Sequence, residues 1–179
     1  MQRMMNAEPE IRIRPYRVED SEAVYAAVRE SVPELMPWMP WCHPGYAIAE
    51  SRTWLEVQVS AFEQQKAFEF AILSAAGDYL GGCGLNQIDD VNRRANLGYW
   101  VRTGAVGRGV ATAAVTLIRD WGFESSNLIR LEIVIAVENR ASRRVAEKSG
   151  AHFEGILRSR LLLQGTAHDA AVHSFIRES

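Results

Sequence analysis

The chain has 179 residues, with 20 lysines and arginines against 22 aspartates and glutamates, a formal net charge of -2, and 47% hydrophobic residues. That balance excludes a disordered tail or a fibre and argues against a general nucleic-acid binder. Two cysteines, Cys42 and Cys83, are too few for a disulfide scaffold, and no apolar run approaches the roughly 20 residues that span a bilayer. The opening MQRMMNAEPEIRIR lacks the apolar stretch of a signal peptide. The expectation is therefore a cytoplasmic protein without membrane or nucleic-acid partners. It would have a flexible leader over residues 1–9 and one domain over residues 10–179.

In chain order, Ile11–Tyr16 alternates and predicts a strand. Asp20 is placed to cap a helix to about Ser31, with Ala23, Val24, Ala27 and Val28 on its apolar stripes. Pro33–Tyr46 carries four prolines and two tryptophans, Trp38 and Trp41, and reads as an ordered loop. A helix over Ala47–Gln65 follows. Strands over Phe68–Leu73, Leu80–Ile88 and Ala95–Val101, with turns at Gly77-Asp78 and Asp89–Asn92, read as an antiparallel meander.

The second half changes period. Ala111, Ala114, Val115, Ile118 and Gly122 recur at helical spacing directly after a strand. Leu131–Val137 is β-branched and apolar, so a strand is expected. Asn139 is a natural cap for a helix over Arg140–Ser149, with Gly150 as its stop. Strands over His152–Leu163 and His168–Ile176 meet at a Gln164-Gly165 hairpin turn, and Gly155 marks a bulge. The pattern is mixed α/β with a central strand–helix–strand crossover.

Charge divides along the chain: residues 1–100 sum to -5 and residues 101–179 to +3. An anionic ligand is favoured by the second half and a cationic one by the first. The run VGRGVAT, Val106–Thr112, joins a strand to a helix. Glycines there let a ligand approach the backbone, and the unpaired amides of a first helical turn suit phosphate. No Gly-Lys-Ser/Thr follows, so it is not a P-loop, and the dinucleotide spacing of glycines is missing.

Five pieces, LGYWV (Leu97–Val101), VGRGVATAAV (Val106–Val115), WGFE (Trp121–Glu124), VENRASRRVAEKSG (Val137–Gly150) and EGILR (Glu154–Arg158), fall in order. Together with PWMPW (Pro37–Trp41) they resemble the Gcn5-related N-acetyltransferases (GNAT), and among them the ribosomal-protein-alanine N-acetyltransferase-like branch. The resemblance runs from about Ile11 to Ile176. It implies a seven-stranded mixed sheet with helices on both faces, two central parallel strands that splay apart, and acetyl-CoA in the gap, leaving as CoA. It further implies that Leu97, Tyr99 and Val101 offer main-chain groups to the pantetheine arm. The amides of Gly107, Arg108, Gly109, Val110, Ala111 and Thr112 would hold the pyrophosphate. Asn139 would reach the pantetheine, Ser142 would lie near the sulfur, and Arg143 and Arg144 would approach the nucleotide phosphates. A homodimer is a further implication. Val106 departs from the family, which often has Gln or Arg there.

Moving an acetyl group from a thioester to an amine requires a neutral amine, a donor for the carbonyl oxygen and a partner for the leaving sulfur. Ser142 is the candidate for the sulfur, with Tyr99 and Tyr79 as rivals, and a main-chain N–H near Tyr99 the donor to the oxygen. The base is open among Glu69, Asp89, Asp90 and His43. Some members of the branch carry a glutamate where this chain has Leu161. Trp38, Trp41 and Tyr46 are candidates for the acceptor wall. His152, His168 and His173 lack metal-ligand spacing, so no metal is expected, and Cys42 and Cys83 read as packing residues. The leading function is an acetyl-CoA-dependent N-acetyltransferase acting on a primary amine, either a small molecule or a protein N-terminus. A catalytically weak acyl-CoA-binding regulatory module is the alternative.

Overall fold

A computed structural model describes residues 9–178. The leader expected over residues 1–9 therefore lies outside the described residues, apart from Pro9. The strands are β1 (Ile11–Pro15), β2 (Phe68–Ser74), β3 (Tyr79–Asp89), β4 (Arg94–Val101), β5 (Arg130–Ala136), β6 (His152–Leu163) and β7 (Thr166–Ile176). The helices are α1 (Ser21–Leu35), α2 (Ile48–Glu63), α3 (Val110–Ser125) and α4 (Arg140–Lys148). The seven strands form one sheet in the order β1-β2-β3-β4-β5-β7-β6, mixed as the resemblance implied, with helices on both faces. No helix among the described residues is long and apolar enough to cross a membrane.

Strand alternation gives the sheet two apolar faces. On one, Phe70, Ile72, Leu85, Leu97 and Leu131 pack with Val110, Ala114, Val115 and Ile118 of α3. On the other, Ala71 and Leu73 pack with Val24, Ala27, Val28 and Leu35 of α1 and Leu55 of α2. Along β4, Leu97 and Tyr99 thus belong to the α3 face, and Trp100 to the α1 face. The one parallel neighbour pair, β4 and β5, is joined through α3, as a crossover requires.

That pair is short. Arg94, Ala95 and Asn96 lie opposite Arg130, Leu131 and Glu132, and there the pairing ends. β5 stays paired with β7 along its whole length, from Arg130 opposite Ile176 to Ala136 opposite Ala170. β4 stays paired with β3 as far as Val101. Leu97–Val101 and Ile133–Ala136 therefore diverge, each held on its outer side only. The root of the divergence is clamped by charge. Glu132 meets Arg94 at 3.3 Å and Arg130 at 2.7 Å, and Arg130 also pairs with Glu154. The Ile129 N–H donates to the Arg93 carbonyl at 2.7 Å just below.

Several boundaries differ from expectation for local reasons. Asp20 does not cap α1 through its side chain. Its carboxylate is taken by Arg14, at 2.6 and 2.7 Å, and by the Arg17 N–H at 2.9 Å, closing a short 3-10 turn over Val18–Asp20. α1 continues past Ser31 to Leu35, with Pro33 in its last turn. Burial of Ser31 and Leu35 on the Val24–Val28 stripe outweighs the one hydrogen bond a proline forfeits; Ala23 points outward. β1 ends at Pro15, and β5 runs Arg130–Ala136 in place of Leu131–Val137. A 3-10 turn over Thr103–Ala105 intervenes before the glycine loop. The turn between β3 and β4 falls at residues 90–93 because Arg93, at φ 51°, takes the left-handed position. At the last hairpin Gln164 and Gly165 both have positive φ, 48° and 77°, so β7 begins at Thr166 and not at His168. The Gly155 bulge is present as a register shift between Phe153 and Gly155.

Leu131 is fully buried at the root of the divergence. Leu131→Ala is expected to lower unfolding free energy by about 2–5 kcal/mol, measured by urea denaturation with the m-value unchanged.

Candidate active site

The loop that follows β4 sets one wall. Gly107 and Gly109 have φ of 78° and 80°, a region closed to most residues, and Gly109 is the N-cap of α3. The Gly109 carbonyl accepts the Ala113 N–H at 3.0 Å. Among the described residues, none of the main-chain N–H groups of Gly107, Arg108, Gly109, Val110, Ala111 and Thr112 donates to a protein acceptor outside helix ladders, and no side chain caps this end. The six amides and the positive end of a four-turn helix make a cradle for a phosphate or diphosphate. Arg108, within the loop, and Arg144, on α4, are exposed, and Arg143 reaches back to the Val137 carbonyl at 3.5 Å. Helix α1 holds the cradle's approach: the Gly104 N–H donates to Glu30 at 2.7 Å and the Thr103 N–H to Ser31 Oγ at 2.9 Å. Arg102 pairs with Glu30 beside them.

A second contact spans the divergence. Tyr99 Oη lies 2.9 Å from both the carbonyl and the Oγ of Ser142. Ser142 is in the first turn of α4, where its own N–H donates to the Asn139 Oδ1 cap at 3.1 Å. Burial pushes the Tyr99 phenol up to about 12, against the Ser142 bond, which favours ionisation. Tyr99 is therefore a neutral donor near pH 7. Ser142, Asn139 and Tyr99 are thus one hydrogen-bonded group, fixed by β4 on one side and α4 on the other.

On the α1 face a cavity of about 500 Å³ opens against the same stretch of β4, lined by Asn96, Gly98, Tyr99 and Trp100. Of the four candidate bases, only Glu69 lines it. Its Oε1 accepts from Asn86 Nδ2 at 2.9 Å, and Asn86 Oδ1 accepts from Asn96 Nδ2 at 2.9 Å. A polar chain thus runs from the partly buried carboxyl to the last residue of β4 that pairs with β5. Burial raises Glu69 to about 6, partly countered by the Asn86 bond. Gly84 makes room for it: a Cβ there would lie 2.1 Å from Glu69 Oε2 and 2.7 Å from the Phe68 carbonyl.

The other candidate bases are placed elsewhere. Asp89 is bound to Asn92 and Arg94, Asp90 borders a separate hollow beside Trp121, and His43 faces Glu50 at 2.9 Å outside the cavity. Tyr79 is buried against Tyr16 at 2.6 Å. Leu161 lies on β6 opposite His168. Cys42 and Cys83 are buried free thiols, and burial pushes both upward, away from nucleophilic reactivity. Trp41 and Tyr46 line the cavity; Trp38 does not, because the turn after α1 bonds its N–H to the Leu35 carbonyl and carries it outside. Sequence reasoning missed Asn86, Asn96, Trp54 and Trp100. The first two had a signal: period two along β3 places Gly82, Gly84 and Asn86 on Glu69's face, and along β4 Asn96, Gly98 and Trp100.

This geometry has relatives. Residues 10–152 match the family described as an acetyltransferase (GNAT) domain. The chain belongs to the GNAT acetyltransferase family. It is 30% identical over 148 residues to the N-acetyltransferase p20 of Bacillus licheniformis, covering 82% of this chain and 83% of that protein. It is 37% identical over 101 residues to Bacillus subtilis YdaF, and there the match spans only 55% of the relative's length. The fold superposes on the microcin C7 self-immunity acetyltransferase MccE, solved with acetyl-CoA and AMP, at a TM-score of 0.87 and 25% identity, covering 94% of this chain and 93% of that one.

Gly84→Ala is expected to expel the Glu69 carboxyl from its bond to Asn86. Its titration midpoint then falls from about 6 toward roughly 4.3, the value of a solvated glutamate. Carboxyl-carbon NMR titration reads this directly, and an unmoved midpoint contradicts it.

Proposed function

We propose that this member of the family is an acetyl-CoA-dependent N-acetyltransferase that acts on a primary amine, in the branch that acetylates ribosomal-protein N-termini and small amines. The observation that carries the reading is the meeting of two unlike sites at one parting of strands. An amide cradle for phosphates lies beyond β4, and a cavity with a partly buried carboxyl lies across the same strand.

The cradle fits acetyl-CoA in charge and in donors. Bound there, acetyl-CoA supplies a thioester whose carbonyl carbon takes the amine nitrogen and whose sulfur leaves with the C–S electron pair. Glu69 accepts the proton that the ammonium loses, directly or through one water. The Asn86–Asn96 chain holds that carboxyl in place. β4 beyond Asn96 has no strand on its β5 side, so inward-pointing N–H groups near Tyr99 are available to the carbonyl oxygen as charge grows on it. Ser142 donates to the sulfur. Its carbonyl can only accept, so the Tyr99 proton bonded there leaves Tyr99 Oη accepting from Ser142 Oγ. Rotation about the Ser142 Cβ–Oγ bond then turns that proton toward the sulfur. A serine hydroxyl and a phenol raised to about 12 are weak acids, so this group acts by hydrogen bonding rather than by full proton transfer.

Gly109→Asp tests the cradle. A carboxylate among the six amides repels a diphosphate, and a Cβ at φ 80° is strained and lies 3.3 Å from Pro9 Cδ. The expected result is a loss of acetyl-CoA affinity of at least about tenfold by calorimetry. Unchanged affinity removes the site.

Glu69→Gln tests the base. Turnover at pH 7 is expected to fall by about 10²–10⁴-fold, with the loss shrinking as pH rises toward that at which the amine is neutral in water. The wild-type rate falls as Glu69 gains its proton, below about pH 6. A superimposable pH–rate profile rules Glu69 out.

A further inference from the structure

The walls of the acceptor cavity go further than naming an amine. Resting on the acetyl-transfer reading, we infer that the acceptor is a small monocationic amine with an aromatic or otherwise apolar body, rather than a polyamine or a protein N-terminus.

The charge of the lining comes first. It contains two carboxylates, Glu50 and Glu69, and among the described residues no arginine, lysine or histidine. Such a cavity attracts a cation and repels the carboxylate of a free amino acid. The two acids are not equivalent. Glu50 is already used: its Oε1 accepts the Ala47 N–H at 2.8 Å and its Oε2 faces His43 at 2.9 Å. It serves as the first-turn acid of α2 at the rim. Glu69 is deep and keeps an oxygen beyond its bond to Asn86. One deep uncommitted carboxyl provides for one ammonium.

The remaining wall is aromatic. Trp41, Trp54 and Trp100 contribute to it, with Tyr16 and Tyr46. The rings brace one another, Trp41 against Trp100 at 6.0 Å, Trp41 against Tyr46 at 6.0 Å and Trp54 against Tyr16 at 5.1 Å, so they form fixed faces. Val24, Val28 and Met39 fill the side toward α1. This surface gains by covering an apolar body and by facing a cation with its rings. A second and third ammonium of a polyamine would be desolvated against it without a carboxylate. A peptide would bring a run of main-chain N–H and C=O groups against a mostly aromatic wall, with the side-chain amides of Asn86, Gln87 and Asn96 as the few partners for them. The cavity's volume of about 500 Å³ matches a small molecule.

The test compares three acceptors at saturating acetyl-CoA, reading thiol release: 2-phenylethylamine, spermidine and an alanine-led pentapeptide. The expected result is kcat/KM for 2-phenylethylamine at least about tenfold above the other two. Trp41→Ala and Trp54→Ala should each raise its KM, by about tenfold for the larger effect, leave the KM for acetyl-CoA unchanged, and be rescued by Phe at the same position. Preference for spermidine or the peptide overturns the inferred class and leaves acetyl transfer standing. So does a KM for 2-phenylethylamine that neither tryptophan substitution moves. If none of the three raises thiol release above the acceptor-free rate, the acetyl-transfer reading falls, and this inference with it.

Discussion

β4 and β5 pair over three residues and then separate, and the rest of the site exists because they do. A parallel pair in the middle of a sheet normally satisfies both strands along their length. Here the outer partners continue, β3 beside β4 and β7 beside β5, while the inner edges are released beyond Asn96 and Glu132. The release is local because its root is fixed. The Arg94–Glu132 and Arg130–Glu154 contacts, together with buried Ala95 and Leu131, hold the strands where they must stay together. An unpaired strand edge in the interior is costly unless something else accepts its hydrogen bonds. Among the described residues the protein supplies only one bridge across the gap, from Tyr99 to Ser142.

From that parting the two faces acquire different chemistry. The α3 face ends in a helix N-terminus whose amides are presented by two glycines in left-handed conformations. The α1 face offers carboxyls and rings. The charge asymmetry of the chain, acidic before residue 100 and basic after it, is distributed in the same sense. α1 connects them. Its stripe of Val24 and Val28 lines the cavity, and one turn further on Glu30 and Ser31 bind the segment leading to the glycine loop. One helix thus touches the cavity and the segment that leads into the cradle.

Much of this was legible in the sequence wherever a local pattern determines a local structure. The α3 stripe, the Asn139 cap, the hairpin turn at Gln164 and Gly165, and the Gly155 bulge are decided by nearest neighbours. The family resemblance supplied the splay, which no local pattern carries. What could not be read depends on distant partners. Asp20 has the look of a helix cap, yet Arg14 from the neighbouring strand claims its carboxylate. Pro33 marks a helix end by propensity, yet buried Leu35 keeps α1 going. Trp38 and Trp41 are alike in sequence, and only the course of the turn separates the one outside the cavity from the one on its wall. Glu69 was one acid among several until strand register set it over Gly84 and beside Asn86.

The main-chain amides of the parted strand and of the glycine loop are there for a ligand. Amide NMR of the labelled protein titrated with CoA to saturation tests it directly. The largest shift changes are expected at Gly107 through Thr112 and along Leu97–Val101, at one affinity. Saturable binding that leaves those amides unmoved, or no binding at all, would contradict it.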